Sequence, residues 1–414
     1  MGIIMAMSQN SRIDRPSTAH PKLTGADLPG KKKLEQVLGL LRRLRPNHDH
    51  PQRELHYDEY AAYLLLYFFT PLLQSMRGMQ FASSYPLLKQ RFGLDRFSLG
   101  SFSEAGRVFD PKLLAEIVAE LGQQVIENAH PHDPRMDKLD RCVTAVDGTL
   151  IEALPRMVWA LWLDSEHRAA KVHLQYSILK GIPVQAMITE GSGSELTVLG
   201  NSLAEGLLYV LDRGYACYDL LSKILLAGSS FVVRIRANAS YKILQELPLS
   251  EQARKAGIQF DRIVELGTDQ DPELHGRRLR IIQIHREAPP DQKPRTWSKN
   301  HSIRKPCTDT TLLLCTDLLE IDADLIALIY QDRWQIELFF RWFKKVLGAD
   351  HLLSLCANGL TIVTYCALIA SVLMVLWTGR KPTRRTHEAL CFYFLGLVSE
   401  DDLLDAFDRA APAR

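Results

Sequence analysis

Cysteine pairs, internal repeats and a strong net charge are all missing from this 414-residue chain, and each absence closes off a class of protein. The seven cysteines, Cys142, Cys217, Cys307, Cys315, Cys356, Cys366 and Cys391, are scattered, with no C-x-x-C pair. That spacing argues against a zinc site and a disulfide framework, and it fits a reducing cytosol. A formal charge of +2 neither demands nor forbids a polyanionic partner, because acidic surface elsewhere can mask a basic groove. No basic segment near the amino terminus leads into an apolar stretch with a small-residue cleavage site, so no secretory signal is read. Long hydrophobic runs are absent but for NGLTIVTYCALIASVLMVLW, Asn358 to Trp377, which is long enough to span a bilayer. It carries an asparagine, two threonines and a tyrosine after a polar body, which predicts a helix buried in a large domain and no membrane partner.

What is there divides by hydrophobic period. Residues 1–30 are polar, with Pro, Ser and Thr, and read as a mobile tail. Residues 31–134 run from KKKLEQVLGLLRRLRP through AAYLLLYFFTPLL to LLAEIVAELGQQVIENA with helical spacing, and SFSE at Ser101 to Glu104 reads as a capping sequence. This predicts an all-helical N-terminal domain, a candidate for DNA binding, closed by the linker AHPHDPR. From residue 135 the period changes. CVTAV, VHLQYSIL and VQAMIT read as strands, ELTVLGNSLA as a helix, LLYVL as a strand, YDLLSKILLAG as a helix and FVVRIR as a strand. That order predicts an α/β fold with a mixed sheet over 135–237, resumed at TLLLCT within 311–380. Between them, 238–310 is punctuated by Gly and Pro and holds the strand-like FDRIVELG and RRLRIIQIH, a β-rich insertion subdomain. Residues 381–414 form a C-terminal tail region.

Two aspartates stand where apolar strands are expected to stop: Asp147 after CVTAV and Asp212 after LLYVL, with glycine one or two positions on. Neighbouring strands lie only about 4.8 Å apart, so carboxylates at their ends can converge. A third candidate lies in YQDRWQIELFFRWFKK, Tyr330 to Lys345. At about 100° per residue, Arg333, Glu337, Arg341 and Lys344 form one narrow polar stripe. It borders the apolar stripe of Ile329, Ile336, Phe340, Phe343 and Leu347, which puts charge at the rim of a core. Asp147, Asp212 and Glu337 would together supply hard oxygen ligands, suited to Mg²⁺ or Mn²⁺. Simpler readings stay open: Asp147-Gly148 as a turn, Asp212 as a helix cap, and Glu337 in an ordinary i,i+4 ion pair with Arg333 or Arg341.

Tyr330, Arg333, Glu337 and Lys344 fit the pattern Y-x2-R-x3-E-x6-K. With AVDGT around Asp147 and LDRGY around Asp212, in that order, the chain resembles DDE transposases of the insertion sequence 4 family over about Arg141 to Leu355. The resemblance implies a ribonuclease H-like core with a β-rich insertion before its last helix. It implies an enzyme that hydrolyses DNA at transposon ends and transfers the freed 3′ hydroxyl into target DNA, usually by cut-and-paste. Asp147, Asp212 and Glu337 would then hold two Mg²⁺ or Mn²⁺ ions, while Tyr330, Arg333 and Lys344 grip the transposon end; Arg341, on the same stripe, joins them as a DNA-binding candidate. The implied partners are transposon-end and target DNA and a second copy of the chain, in a cytoplasmic, nucleoid-associated setting. A ribonuclease H-like nuclease without strand transfer and an inactive DNA-binding derivative are the rival readings; three intact carboxylates weigh against the second.

Basic clusters at Lys31 to Lys33, Arg42 to Arg45 and Arg380 to Arg385 are candidate phosphate contacts or simply solvated charge. Tyr241 and Trp297 are candidates for stacking on bases, with ordinary packing the commoner outcome. His173 and His351 are expected to complete hydrogen-bond networks.

Overall fold

The computed structural model describes residues 37–47, 50–70, 73, 75–125, 132–162, 167–267, 274, 276–285, 311–379 and 381–409. The expected tail, Lys31 to Lys33, Trp297, Arg380 and the first three residues of the AHPHDPR linker lie outside the described residues.

Past a short helical segment over 37–41, the N-terminal part is built from helices α1 (Tyr57–Phe69), α2 (Met76–Ser83), α3 (Pro86–Phe92), α4 (Leu99–Val108) and α5 (Lys112–Gln124). One correction concerns α4. The SFSE sequence does not cap it; Ser98 does, its Oγ accepting the Ser101 N–H at 3.0 Å, so SFSE lies inside the first turns. Both serines are competent caps, and the Ser98 position brings Phe102 and Ala105 inward. Two arginines of the RRLR cluster are spent internally. Arg43 pairs with Glu120 on α5, and Arg45 with Asp58 at the start of α1.

Strands β1 (Cys142–Ala153), β2 (Arg168–Ser177), β3 (Ile182–Glu190), β4 (Leu207–Leu211), β5 (Ser230–Ile235), β6 (Tyr241–Glu246), β7 (Ile258–Leu266), β8 (Arg278–His285) and β9 (Thr311–Thr316) form one sheet. Its order is β3-β2-β1-β4-β5-β9-β8-β7-β6. β4 and β5 run parallel to β1, and the remaining neighbours are antiparallel. The strands of 238–310 therefore extend the sheet through the β8–β9 pairing. Helices α6 (Glu195–Asn201) and α7 (Tyr218–Leu226) follow β3 and β4, and α8 (Glu251–Lys255) follows β6. After β9 come α9 (Ala323–Asp332), α10 (Trp334–Lys345), α11 (Ala357–Thr378), α12 (Arg384–Leu395) and α13 (Glu400–Arg409).

Side chains alternate across each strand. Val143, Ala145, Leu208, Val210 and Val232 join one core with α1, α4, α5 and α9 to α12. Val146, Tyr209, Leu211, Phe231 and Val233 join a second core with α6 and α7 on the opposite face. The long apolar run becomes α11, the one helix among the described residues long and apolar enough to cross a membrane. It is buried from Leu360 to Val375 save for single intermediate positions, packed against α1, α5 and β3. Its Tyr365 hydroxyl donates to the Ala186 carbonyl at 2.7 Å.

Two further corrections bear on the site. β1 does not stop at Asp147-Gly148. It runs on to Ala153 in an antiparallel ladder with β2, pairing Asp147 with Leu174 and Gly148 with His173, so the local turn signal yields to ladder pairing. Second, Tyr330 to Lys345 is not one helix. Arg333 keeps right-handed dihedrals, φ −50° and ψ −34°, but separates α9 from α10. The Arg333 N–H bonds Tyr330 O and the Ile336 N–H bonds Arg333 O, both at 3.2 Å and both three residues apart. Each such step turns the chain about 120° instead of 100°, which offsets Tyr330 from the stripe on α10.

Candidate active site

Asp147 and Asp212 reach one place through strand register. In the parallel pair β1–β4, Val143 faces Leu208 and Ala145 faces Val210. Continuing by two residues puts Asp147 beside Asp212, just past the end of the ladder. The same alternation that buries Val143, Ala145, Leu208 and Val210 in one core sends both carboxylates to that face. Each is half-buried. Asp147 Oδ1 accepts the Gly148 N–H at 2.8 Å, and Asp212 Oδ1 accepts the Arg213 N–H at 2.7 Å. Asp212 thus also caps the 3-10 turn Arg213–Tyr215, and the capping role stands beside any chemical one.

Helices α9 and α10 lie on that face, held by their apolar side. Ile329, Ile336, Phe340, Phe343 and Leu347 are all buried, as the apolar stripe predicts. The Phe339 ring lies 5.2 Å from Tyr176 of β2 and 5.5 Å from Phe343. This packing sets Tyr330 and Arg333 over Asp212 and the middle of β1, with Glu337 and Lys344 following along α10. Tyr330 donates to Asp212 Oδ1 at 3.4 Å, and burial with the Asp212 charge pushes its phenol up to about 12. The Arg333 guanidinium carbon stands 5.8 Å from the Tyr330 ring centre, and Nη2 donates to Glu337 Oε1 at 2.8 Å. The i,i+4 pair of Arg333 with Glu337 is therefore present. Lys344 Nζ donates to Thr149 Oγ1 at 2.9 Å and to the Leu150 carbonyl at 3.3 Å, fastening α10 to β1. Arg341 is exposed one turn past Glu337, and no contact among the described residues ties it to the carboxylates.

Burial pushes Asp147 up to about 6; the Gly148 N–H and Arg333 pull it down, while Glu195 and Glu337 add to the rise. Burial works against the Arg333 charge, yet Tyr330, Asp212 and Glu337 hold its pKa above the ordinary value. The donor set is one of hard carboxylate oxygens, and a half-buried Asp147 repelled by two glutamates gains from a cation nearby. Among the described residues no group of three or more His, Cys, Asp or Glu side chains is drawn together as metal ligands. Glu337 is turned to Arg333 instead.

Two neighbours escaped the sequence reading. Glu195, the first residue of α6, pairs with Lys171 of β2 at 3.5 Å and lies close enough to Tyr215 to raise its pKa beyond the effect of burial. Its only signal is its place after the Ser194 cap. Arg234 of β5 continues the register of Val210 with Val232 and so falls next to Asp212, close enough to lower the Tyr330 pKa. Its signal is the RIRAN stretch. Elsewhere, His173 bonds Thr189 Oγ1 and His351 bonds the Tyr67 hydroxyl, both at 2.8 Å, in the network role expected of them. Tyr241 packs at the edge of the second core.

The fold and this cluster define a mixed α/β protein with two half-buried carboxylates side by side, one within β1 and one just past the end of the parallel β4, covered by helices that bring a tyrosine and an arginine to them and a lysine to β1 two residues on. The family model for the transposase DDE domain matches residues 138–373, and the chain belongs to that family: it is a DDE transposase. A probable transposase for insertion sequence element IS5377 of Geobacillus stearothermophilus is 25% identical over 309 residues, 73% of this chain and 72% of that one. A putative transposase, y4zB, of Sinorhizobium fredii (strain NBRC 101917 / NGR234) is 27% identical over 233 residues, 54% of this chain and 59% of that one. A piggyBac transposase in a synaptic complex with hairpin DNA aligns over 94% of this chain and 84% of its own, at 13% identity and a TM-score of 0.39.

Proposed function

We propose that this transposase cuts DNA at the ends of its element by metal-dependent hydrolysis and joins the freed 3′ hydroxyl to target DNA, in a cut-and-paste mode. The observation that carries the reading is the β1–β4 register, which sets Asp147 beside Asp212 under Tyr330 and Arg333. A core of the ribonuclease H kind is supported by the order β3-β2-β1-β4-β5, with a β1–β2–β3 antiparallel meander and β4 and β5 parallel to β1. Membership of the insertion sequence 4 branch rests on the spacing of Tyr330, Arg333, Glu337 and Lys344.

Asp147, Asp212 and Glu337 would hold Mg²⁺ or Mn²⁺, two ions in the working site. When bound, such ions activate the attacking oxygen and stabilise the leaving one. The chain's own groups do the rest. Arg333 offers a planar fork matched to a phosphate, already partly desolvated, at 13% side-chain exposure. Releasing Glu337 frees both the carboxylate and the guanidinium for these partners. Tyr330 places a hydroxyl beside Asp212, where it orients a phosphate oxygen or a terminal nucleotide. Lys344 adds a point charge on the β1 side, and Arg341 extends the basic edge outward. The DNA complex would contain two copies of the chain, acting at the nucleoid.

Labelled DNA carrying the element's own ends, incubated with the protein and Mg²⁺, tests the reading. Joined products are expected. Cleavage without joining would leave a nuclease, and binding without cleavage in either Mg²⁺ or Mn²⁺ would overturn the catalytic reading.

A further inference from the structure

We propose that Glu195 is a positioning residue of this active site: from the opposite face of the sheet its carboxylate ties together the three segments that fix where Asp147 and Asp212 stand. The proposal rests on the metal-dependent reading above.

Glu195 opens α6, whose cap is Ser194, Oγ accepting the Thr197 N–H at 3.3 Å. Its side chain is left to other partners. It turns onto the back of the sheet. There Glu195 Oε1 lies so close to Gly148 that a Cβ at that position would meet it at 2.8 Å. A side chain at 148, which sits in a regular ladder opposite His173, would therefore have to push the Glu195 carboxylate from its place. Lys171, on β2 in register with Leu150 of β1, reaches Glu195 at 3.5 Å and donates to the Gly193 carbonyl at 3.0 Å. The third partner is Tyr215, buried and three residues past Asp212, whose phenol lies close enough for the Glu195 charge to raise its pKa beyond the effect of burial.

One group thus crowds the residue after Asp147, pairs with the strand beside Asp147's strand, and acts electrostatically on the turn that Asp212 caps. Consecutive residues of a strand face opposite ways, so Glu195 meets Gly148 on the side away from the Asp147 side chain and touches no reacting atom. Groups bonded directly to a ligand typically change metal affinity by about 10- to 100-fold when removed, and Glu195, one contact further out, should fall at the lower end of that range. A surface ion pair would do far less.

The test compares Glu195→Ala, Glu195→Asp, Glu195→Gln and Gly148→Ala with the native full-length protein. Mn²⁺ uptake without DNA is read from the electron paramagnetic resonance of the free ion, beside melting temperature and affinity for end DNA in chelator. Glu195→Ala and Glu195→Asp should weaken Mn²⁺ binding about tenfold or more, with DNA affinity in chelator unchanged. Asp keeps the charge but is one methylene too short to span Lys171 and Tyr215. Glu195→Gln, nearly isosteric, should show a smaller loss and keeps the measurement open if the other variants fail to fold. Gly148→Ala should act like Glu195→Ala by displacing the carboxylate, and the double variant should be no worse than either single. Native Mn²⁺ affinity in Glu195→Asp would overturn positioning in favour of charge alone. Native affinity in every variant, with lowered melting, would leave Glu195 a structural ion pair. A native protein that takes up no Mn²⁺ and cuts no DNA would overturn the underlying reading, and the role of Glu195 with it.

Discussion

Arg333 donates from Nη2 to Glu337 Oε1 at 2.8 Å across the junction of α9 and α10, with side chains 13% and 31% exposed. Even a fully exposed pair at this spacing gains only about 0.3 to 0.5 kcal/mol, and partial burial adds a desolvation cost against it, so the contact is a poor explanation for two charges placed at the rim of a core. A guanidinium is always charged and fits a phosphate with two parallel bonds, which a lysine ammonium cannot do.

The first prediction follows from that geometry. Arg333→Ala should weaken binding of end DNA by about tenfold, the size of one lost charge-assisted contact, and should lower the salt dependence of binding. Arg333→Lys should restore the charge without restoring the affinity. Fluorescence anisotropy against salt concentration measures both. Native affinity and salt slope in Arg333→Ala would place the guanidinium outside the DNA site.

Core and chemistry separate on α10. The Phe343 ring is 1% exposed and packs at a tilt against Phe339, so Phe343→Ala should cost about 3 to 5 kcal/mol of stability. Glu337→Gln should cost far less, because it relieves repulsion of Asp147 while losing one partly exposed ion pair. Chemical denaturation of the two variants side by side decides it. Equal losses would make Glu337 a structural partner of Arg333.

The apolar stripe through Ile336, Phe340 and Phe343 was legible because burial follows helical period, and the strands because apolar runs of the β5 and β9 kind have few alternatives. Three features were not, each for a physical reason. Asp147-Gly148 carries a local turn signal, but ten ladder pairs between β1 and β2 overrule it. The break at Arg333 leaves the dihedrals right-handed, so composition shows nothing. Glu195 acts through Gly148, Lys171 and Tyr215, partners distant in sequence, and no spacing rule reaches that far. The joining of β8 to β9 is likewise a long-range pairing, unreadable from either strand alone.

Asp147 gives a pH prediction. Its carboxyl is pushed from an ordinary 3.8 up to about 6 by burial, with Glu195 and Glu337 adding to the rise. A folded pKa above the unfolded one means that the stabilising contribution is full below about 3.8 and is lost as pH climbs through about 6. Asp147→Asn cannot ionise and escapes the loss. Its melting temperature should therefore rise relative to native between pH 4 and 7, by a few degrees for each kcal/mol involved. Adding Mg²⁺ at pH 7 should stabilise the native protein and leave the variant unmoved. A difference that stays flat with pH would mean that Asp147 is solvated as an ordinary surface carboxylate.

The last prediction addresses the ions themselves. If Asp147, Asp212 and Glu337 hold two cations about 3.5 to 4 Å apart, alanine at any one should abolish cleavage and joining while DNA binding survives. Loss of activity alone is ambiguous, since misfolding produces it too. Asp212→Cys is sharper, because sulfur is a poor ligand for Mg²⁺ and a better one for Mn²⁺. Asp212 also caps the turn at Arg213 through Oδ1, and a cap is indifferent to which metal is supplied. Activity on end DNA should vanish in Mg²⁺ and return in part in Mn²⁺, with melting close to native. A well-folded Asp212→Cys protein that is fully active in Mg²⁺, or equally inactive in both metals, would reduce Asp212 to its capping role and leave the three-carboxylate site without its middle member.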